Sequence, residues 1–385
     1  MRVLYLSADP GVPILGHKGA SVHVRELVAA MTSAGATVTV VSPRIGAEGD
    51  LLSAPVELVS IEPVLPREHA NANELLCAVA RQGAQIRRIA ERLEADALYE
   101  RFSLFSDGGV RAAHALRVPH VLEVNAPLRE EAQRYRTLPH EQLAATIERR
   151  VLAATDRVFA VSETLARLLE ESDVAADRIE VVPNAIDPAK FPFQGRSSEG
   201  RLTIGFVGSL KPWHGVEVLL DAFRRALGDV PSLRLEIVGD GPARALVEHA
   251  DLPTDCFLYR RALPHAETLR LLSRWHVGAA PFLAVPNFYF SPLKLVEYMA
   301  AGLCSVASDQ PEIRELLGGG ERGLLVPAGD ARALAQAFVE LARYPERTSA
   351  IGLRAREYVL KDRSWSRNAQ RALGVLRGRP AELVA

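Results

Sequence analysis

Cysteine is scarce in this sequence and occurs at only three positions, Cys77, Cys256 and Cys304. These residues are far apart in the chain and odd in number, so they predict neither a disulfide framework nor a metal-binding cluster. Few and scattered cysteines are typical of proteins from a reducing compartment. We therefore expect a cytoplasmic protein.

The patterns that bind a metal cofactor are also lacking. The sequence contains no Asp-x-Asp motif and no cluster of histidine and cysteine residues. Carboxylate groups are the usual ligands of magnesium, and grouped His and Cys side chains are the usual ligands of zinc. The sequence thus predicts a protein that needs no metal ion and no other cofactor.

Net charge and long apolar runs are missing as well. The 46 Lys and Arg residues nearly balance the 47 Asp and Glu residues, for a net charge of −1, so nothing attracts the whole protein to nucleic acid. The apolar run near the N-terminus covers only about four residues, too short for a signal sequence or a membrane span. We expect no nucleic-acid partner. A peripheral contact at the inner face of the membrane stays open, and so does the oligomeric state.

What is present is a regular alternation of strand and helix patterns. The chain has 385 residues, more than one hydrophobic core usually supports, so two domains are expected. Apolar runs such as RVLYLS alternate with helical patterns, including a long charged stretch that ends near Ala154. The alternation begins again after the Pro, Gly and Ser-rich interval at 184–201. It predicts an α/β fold with two doubly wound, Rossmann-like domains.

Two classes of protein fit this architecture. One is a sugar-nucleotide enzyme with two similar halves, and the other is a two-domain NAD-dependent dehydrogenase. The dehydrogenase requires a G-x-G-x-x-G motif directly after a strand. The best candidate, GDGPAR, lacks the third glycine. The sequence therefore favours the sugar-nucleotide enzyme.

Several motifs occur together along the chain. The first half contains GHKGASVHVRELVAAM, AVSE and VVPNAID, and the second contains FVGSLKPWHG, VGDGP, PLKLVEYMAAGLCSVASDQPEI and RGLLVPAGD. In this order and spacing they resemble the retaining GT-B glycosyltransferases of family 4. The resemblance implies two Rossmann-like domains that face each other across a cleft. Residues 1–187, completed by a C-terminal helix at 364–385, would bind the acceptor, and residues 188–363 would bind the nucleotide-sugar donor.

The segment from Pro292 to Gly302 combines a proline start, a glycine end and two charges. Proline suits the first helical position and glycine suits the C′ position. Free N–H groups at a helix start bind anions such as a diphosphate, which would explain Lys294 in the first turn. The resemblance assigns Glu297 to the donor ribose, with Leu293 among the donor contacts. The alternative is a solvated Lys294–Glu297 pair on a helix face.

The chain departs from the family signature Glu-x7-Glu at its first position. Counting back from Glu297 gives Tyr289, which can form hydrogen bonds but carries no carboxylate. The backbone N–H groups of Phe290 and Ser291 would then take a larger share in binding the donor sugar. Alternatively, Tyr289 belongs to the hydrophobic core.

A second departure follows the first strand of the C-terminal half. Where the family commonly places an Arg and a Lys on the donor phosphates, this chain has Ser209 and His214, close to Gly208. Lys211 is then the nearby cation. We expect Lys211 and Lys294 to neutralise the diphosphate together. The alternatives are an exposed loop lysine at 211 and a structural loop hydrogen bond at 214.

In the N-terminal half, candidate contacts lie at the ends of predicted strands. Gly16 and Gly19 would let the backbone approach a phosphate or a sugar of the donor, and Lys18 between them could add charge for an acceptor. Further acceptor contacts are predicted at Arg101, Glu123 and Asn125, although a structural salt bridge or a satisfied structural acid would fit the first two equally well.

The resemblance implies an activity. The expected reaction is retaining transfer of a hexose-type sugar from a UDP-, GDP- or dTDP-linked donor to an acceptor hydroxyl. The acceptor would be a cell-surface glycan, a lipid-linked sugar or a small molecule. Lys211, Lys294 and Glu297 are the expected catalytic residues. The alternative is a catalytically idle GT-B partner that serves as a scaffold, which the loss of the first acid would fit.

Overall fold

The computed structural model describes residues 1–46, 55–65, 71–193 and 201–378. Its strands are β1 (Arg2–Ser7), β2 (Thr37–Ser42), β3 (Glu57–Ser60), β4 (Ala97–Arg101), β5 (His120–Val124), β6 (Arg157–Ala160), β7 (Ile179–Val181), β8 (Thr203–Val207), β9 (Arg234–Val238), β10 (Phe257–Arg260), β11 (Val277–Ala280), β12 (Cys304–Ser308) and β13 (Gly323–Val326). Its α-helices are α1 (Gly19–Ser33), α2 (Ala72–Arg92), α3 (Gly108–Leu116), α4 (Leu128–Tyr135), α5 (Glu141–Ala154), α6 (Glu163–Glu170), α7 (Val216–Asp229), α8 (Arg244–Glu248), α9 (His265–Leu272), α10 (Leu293–Ala300), α11 (Pro311–Leu316), α12 (Ala331–Arg343), α13 (Pro345–Asp362) and α14 (Trp365–Leu376).

The first compact unit contains residues 1–183, 289–291 and 365–385. Its described strands form one parallel sheet in the order β3-β2-β1-β4-β5-β6-β7. The strands nearest its centre are almost fully buried, as expected when helices cover both faces. The order reverses between β1 and β4, and ligands of such sheets bind at the carboxyl ends beside this reversal.

The second unit contains residues 184–288 and 292–364. Its described strands also form a parallel sheet, in the order β10-β9-β8-β11-β12-β13. Here the order reverses between β8 and β11, so the loops that follow these two strands adjoin the expected ligand position. The two doubly wound parallel sheets confirm the predicted α/β class.

The units divide at slightly different positions from those that the sequence suggested. The first unit ends at Pro183 rather than at residue 187, and Ser364 belongs to the second unit. Helix α14 is grouped with the first unit, where it packs against α1. Residues 194–200 of the expected boundary interval and residues 379–385 of the expected C-terminal helix lie outside the described residues.

The long charged helical stretch that ends near Ala154 is divided into two helices in the structure. Helix α4 ends at Tyr135, and α5 starts at Glu141. Pro139 lies between them and disfavours a helical conformation of the residue before it. His140 then adopts a left-handed conformation with φ of 55°, which turns the chain into α5.

Candidate active site

Helix α10 is anchored to the second sheet by its only tyrosine. The hydroxyl of Tyr298 accepts a hydrogen bond of 2.8 Å from the backbone N–H of Val207, the last residue of β8. Its ring lies against Gly278 of β11, where an added Cβ would come within 2.3 Å of the ring. These two contacts bring the helix close to both strands beside the sheet reversal.

The two ends of α10 differ in how well they match the prediction. Pro292 is the N-cap residue and Leu293 the first helical residue, so the proline lies one position earlier than expected. At the other end Gly302 has φ of 71°, the left-handed conformation typical of a C′ glycine. The guanidinium of Arg356 donates to the carbonyl oxygen of Ala300 and covers this end.

Lys294 is the most unusual residue of the helix. Its Nζ is buried and has no hydrogen-bond partner in the part of the chain that the structure describes. It lies 4.2 Å from the ring centre of Phe206 and 5.2 Å from that of Phe282. A Cβ added to Gly208 would come within 2.8 Å of Nζ, so the absent side chain of this glycine leaves room for the lysine.

A buried imidazole lies beside the lysine. The Nδ1 of His214 also lacks a hydrogen-bond partner within the described ranges, and it would lie 3.1 Å from a Cβ added to Gly208. Burial, together with the charges of Lys294 and Lys211, lowers the pKa of His214 to about 2. Burial also lowers the pKa of Lys294 to about 7, although nearby Glu297 opposes this shift. Two unpartnered buried nitrogens therefore lie around Gly208, and such atoms commonly mark a ligand site.

The loop after β8 is held by close backbone packing. Gly239 and Gly241 have φ of 151° and 153°, and an added Cβ on either would lie within 2 Å of the carbonyl oxygen of Gly208 or Ser209. Ser209 itself is exposed. Lys211 is exposed too, with Nζ 5.7 Å from the ring centre of Trp213. The structure therefore brings Gly208, His214 and Lys294 together and leaves Ser209 and Lys211 at the surface.

Glu297 lies one turn along α10 from Lys294 and is buried. Its Oε1 lies 2.7 Å from Nε2 of His265, the first residue of α9. Because an ionised carboxylate only accepts hydrogen bonds, the imidazole is the donor in this pair. The solvated Lys294–Glu297 pair on an exposed helix face is thus not what the structure contains.

Tyr289 lies in the hydrophobic core of the first unit and is 4% exposed. Its hydroxyl donates a hydrogen bond of 2.7 Å to Oε1 of Glu131, and its carbonyl oxygen accepts one of 2.7 Å from Ser162. The ring of Phe290 packs on it at 4.4 Å, and Ser291 follows as the last residue of this segment in the first unit. Of the two readings of Tyr289, the structure supports the core residue.

The loop between β1 and α1 is built around an unforeseen arginine. Arg25 is buried and donates from Nη1 to the carbonyl oxygens of Ile14 and Gly16, at 2.9 and 2.6 Å. Lys18 is the N-cap residue of α1, and its Nζ donates to the carbonyl oxygen of Gly11 at 2.9 Å. A Cβ on Gly19 would meet nothing within 4 Å, so close packing does not require this glycine.

Glu123 is a buried carboxylate surrounded by donors. Arg101 donates to Oε1 at 3.0 Å and Tyr99 to Oε2 at 2.6 Å, and the amide of Asn125 also donates to Oε1. Nε2 of His23 lies 2.9 Å from Oε1. Burial opposes ionisation, but His23, Arg101 and Asn125 outweigh it and lower the pKa of Glu123 to about 2. The structure thus brings three of the predicted acceptor contacts together as one satisfied network.

Sequence reasoning missed the histidines and the arginine that hold these groups. His265 contacts Glu297 from a position 32 residues away in sequence, and His23 contacts Glu123 across a much longer interval. Arg25 carried one usable signal, because a charged residue in the middle of the apolar pattern VHVRELV requires a buried partner. The two histidines had no comparable signal.

Two kinds of feature are absent from the described ranges. They contain no group of three or more His, Cys, Asp or Glu residues that could hold a metal ion. They also contain no helix with the length and hydropathy to cross a membrane.

Two doubly wound units with a strand-order reversal in each sheet are typical of α/β proteins that bind their ligands at the carboxyl ends of the strands. Two family models match the chain: "Glycosyltransferase Family 4" over residues 17–190, and "Glycosyl transferases group 1" over residues 201–343. The chain belongs to the family 4 glycosyltransferases, which have the GT-B fold.

Relatives and solved structures agree with this assignment. The alpha-maltose-1-phosphate synthase of Mycolicibacterium smegmatis is 30% identical over 68% of this chain and 73% of its own length. The phosphatidyl-myo-inositol mannosyltransferase of the same organism is 32% identical over 52% of each protein, so the chain spans about half of that relative. The crystal structure of Anabaena HepE with UDP and glucose covers 98% of this chain, with a TM-score of 0.74 and 17% identity.

Proposed function

We propose that this chain is a retaining glycosyltransferase that moves a hexose-type sugar from a nucleoside-diphosphate sugar to an acceptor hydroxyl. The second unit binds the donor and the first unit binds the acceptor. Membership of family 4 supports the class of reaction. The structure of HepE holds UDP and glucose, and this supports a nucleotide sugar as donor.

The observation that carries the proposal is the buried, unpartnered Nζ of Lys294. A lysine in the first turn opposes the helix dipole, and a buried ammonium group without a partner is unfavourable. Both costs are offset when a diphosphate binds at the start of α10, because its oxygens accept hydrogen bonds from Nζ and from the free backbone N–H groups. Neutral His214 can supply a further hydrogen bond but no charge.

The reaction that we propose uses this charge on the leaving group. The bond between C1 of the donor sugar and the diphosphate oxygen breaks while the acceptor oxygen bonds to C1 on the same face. The proton of the acceptor hydroxyl passes to an oxygen of the departing diphosphate. Lys294 and the start of α10 stabilise the negative charge that develops there, so the route needs no metal ion.

The other proposed contacts follow from the geometry around this lysine. Glu297 accepts hydrogen bonds from the donor ribose. Lys211 is exposed, and we propose that it contributes charge from the rim of the site. The hydroxyl of Tyr289 is already bonded to Glu131, so the donor sugar is bound without a carboxylate or a phenol at this position. In the first unit, the Glu123 network presents Arg101 and Asn125 to the acceptor.

Hydrolysis of a panel of sugar nucleotides in the absence of acceptor tests the proposal. We expect slow release of UDP, GDP or dTDP from its hexose conjugate, with the same rate in EDTA, and an α-configured product from an α-configured donor. Lys294→Ala should lower the rate about 100-fold, in the range found when one preorganised charge-stabilising group is removed. Lys361→Ala, which removes an exposed lysine of α13, should leave it unchanged.

The competing function is a catalytically idle partner, and the presence of Tyr289 where the family signature has its first acid favours it. Hydrolysis of the sugar-nucleotide panel separates the two functions when it is combined with melting temperatures measured in the presence of UDP, GDP, ADP and dTDP. An active transferase is stabilised by at least one of these nucleotides. If the chain hydrolyses no sugar nucleotide and is stabilised by no nucleotide, its function is that of a scaffold.

A further inference from the structure

The carboxylate of Glu297 is fixed before any ligand binds. Oε1 lies 2.7 Å from Nε2 of His265, and the two side chains are only 8% and 14% exposed. This contact uses Oε1, and Oε2 of Glu297 takes no part in it. One oxygen is therefore held by the protein, while the other keeps its lone pairs for a ligand.

The two partners come from different elements. His265 is the first residue of α9, which follows β10, whereas Glu297 is in α10, which follows β11. The imidazole therefore fixes the carboxylate from outside its own helix. A free glutamate side chain loses rotamer entropy when it is ordered. If it is ordered in advance, the ligand does not bear this cost.

We propose that His265 is a positioning residue for Glu297 and thereby makes the site selective for ribonucleoside diphosphates over their 2′-deoxy counterparts. The inference rests on the proposed function, in which Glu297 binds the donor ribose. It narrows the expected donor to a sugar linked to a ribonucleotide, such as UDP or GDP, and places dTDP-linked sugars among the poor substrates.

The selectivity follows from the number of hydroxyl groups. A ribose presents neighbouring 2′ and 3′ hydroxyls, and a carboxylate in one fixed position can accept a hydrogen bond from each. A deoxyribose offers only one of them, which leaves a buried carboxylate lone pair unused. Hydrogen bonds to charged groups contribute about 1.5–3 kcal/mol, so the missing bond should weaken binding by about tenfold or more. A mobile carboxylate would recover much of this difference by turning towards water.

Matched nucleotide pairs test the inference by calorimetry. The probes are UDP with dUDP, GDP with dGDP and ADP with dADP, together with inorganic pyrophosphate, which has no sugar. In the wild-type chain the ribonucleotide that binds should have a Kd about tenfold below that of its deoxy partner. In His265→Ala the ratio of the deoxyribonucleotide Kd to the ribonucleotide Kd should fall to about twofold, while the Kd for pyrophosphate is unchanged.

Further variants separate positioning from a general loss of structure. His265→Gln keeps an N–H donor that can reach the carboxylate and should retain most of the ratio, whereas the shorter His265→Asn should lose it. This pair decides the question if His265→Ala does not fold. His249→Ala is the matched control, because His249 is exposed, directly follows α8, and its Nδ1 lies 2.9 Å from the carbonyl oxygen of Ala245 in that helix.

Several results would overturn the inference. If Glu297→Gln abolishes the ratio but every His265 variant keeps it, the positioning role fails and the proposed function stands. If His265→Ala weakens pyrophosphate as much as it weakens the ribonucleotide, the histidine acts on the whole site and selectivity has another source. If the wild-type chain binds none of the probes, both the inference and the donor site fail.

Discussion

At the scale of single residues, the two lysines that were expected to act together have different environments. The Nζ of Lys294 is buried near two aromatic rings and has no hydrogen-bond partner among the described residues. Lys211 is exposed beside Trp213. Both were candidates in the sequence because a lysine near a phosphate site is chemically suitable at either position. Only Lys294 has an environment that makes an anion necessary.

Binding of a nucleoside diphosphate at pH 8 should take up a proton. Because the pKa of Lys294 is about 7 in the free protein, the lysine is mostly neutral at this pH. A bound diphosphate favours the charged form and raises its pKa. The contribution of Lys294 to the affinity for the nucleoside diphosphate should therefore be greatest below pH 7. As the pH rises above 7, this affinity should fall by up to about tenfold per pH unit.

Calorimetry in two buffers of different ionisation enthalpy measures this uptake directly. At pH 8 the diphosphate of the nucleotide is already almost fully ionised, so it contributes little to the proton uptake. Lys294→Met should remove the proton uptake, and Lys211→Met should preserve it. Equal uptake in wild type and Lys294→Met would assign the proton to another group.

At the scale of elements, the position of α10 depends on Tyr298. Its hydroxyl accepts the N–H of Val207 and its ring fits against Gly278, so it links the helix to two strands. The helix start, and with it Lys294, is therefore placed by a contact more than one turn away. Burial raises the pKa of Tyr298 far above its ordinary value, which keeps the hydroxyl protonated.

Tyr298→Phe should destabilise the chain and weaken donor binding together. The change leaves the N–H of Val207 without its acceptor, which costs about 1–3 kcal/mol for a buried group. Urea unfolding measures the loss, and the Kd of the nucleotide that binds should rise in parallel. Tyr344→Phe is the control, because Tyr344 is 59% exposed and its substitution should change stability by less than about 0.5 kcal/mol. Unchanged stability of Tyr298→Phe would mean that another group satisfies Val207.

The elements themselves were largely predictable, and the exceptions have a physical cause. Apolar runs revealed inner strands such as β1, β5 and β12 because these parallel strands are buried on both faces. Three helices were missed, α6, α8 and α11, which have only 8, 5 and 6 residues. A helical period becomes readable only over about 11–18 residues, so such short helices leave no clear pattern.

At the scale of the whole molecule, the site residues that sequence reasoning found are those whose role is local. Lys294 and Glu297 lie in one helix, and their chemistry was readable from that helix alone. The partners that define their environment come from distant parts of the chain. Tyr289 bonds to Glu131 over 158 residues, and only the folded chain decides that this tyrosine belongs to the first unit.

The last helix shows the same long-range dependence. Helix α14 lies in the first unit, although all of the second unit separates it in sequence from α1. Trp365 is buried, and its ring lies 4.8 Å from that of His23 in an edge-on arrangement. Asn368 donates to the carbonyl oxygen of Pro183 at 2.9 Å. The first unit is therefore complete only when the end of the chain has been made.

Trp365→Ala should loosen the first unit locally. Removal of a buried aromatic side chain costs about 3–5 kcal/mol, and His23 loses its packing partner. Hydrogen exchange should then quicken in α1 and β1, while peptides of β8 and β9 exchange as in the wild type.

A chain ending at Ser364 should show a larger effect, because Leu373 and Leu376 are also lost from the core. Arg371→Ala is the control from the same helix, since its ion pair with Glu180 is long, at 3.8 Å, and partly exposed. If α1 keeps its protection in the truncated chain, the first unit folds without its last helix.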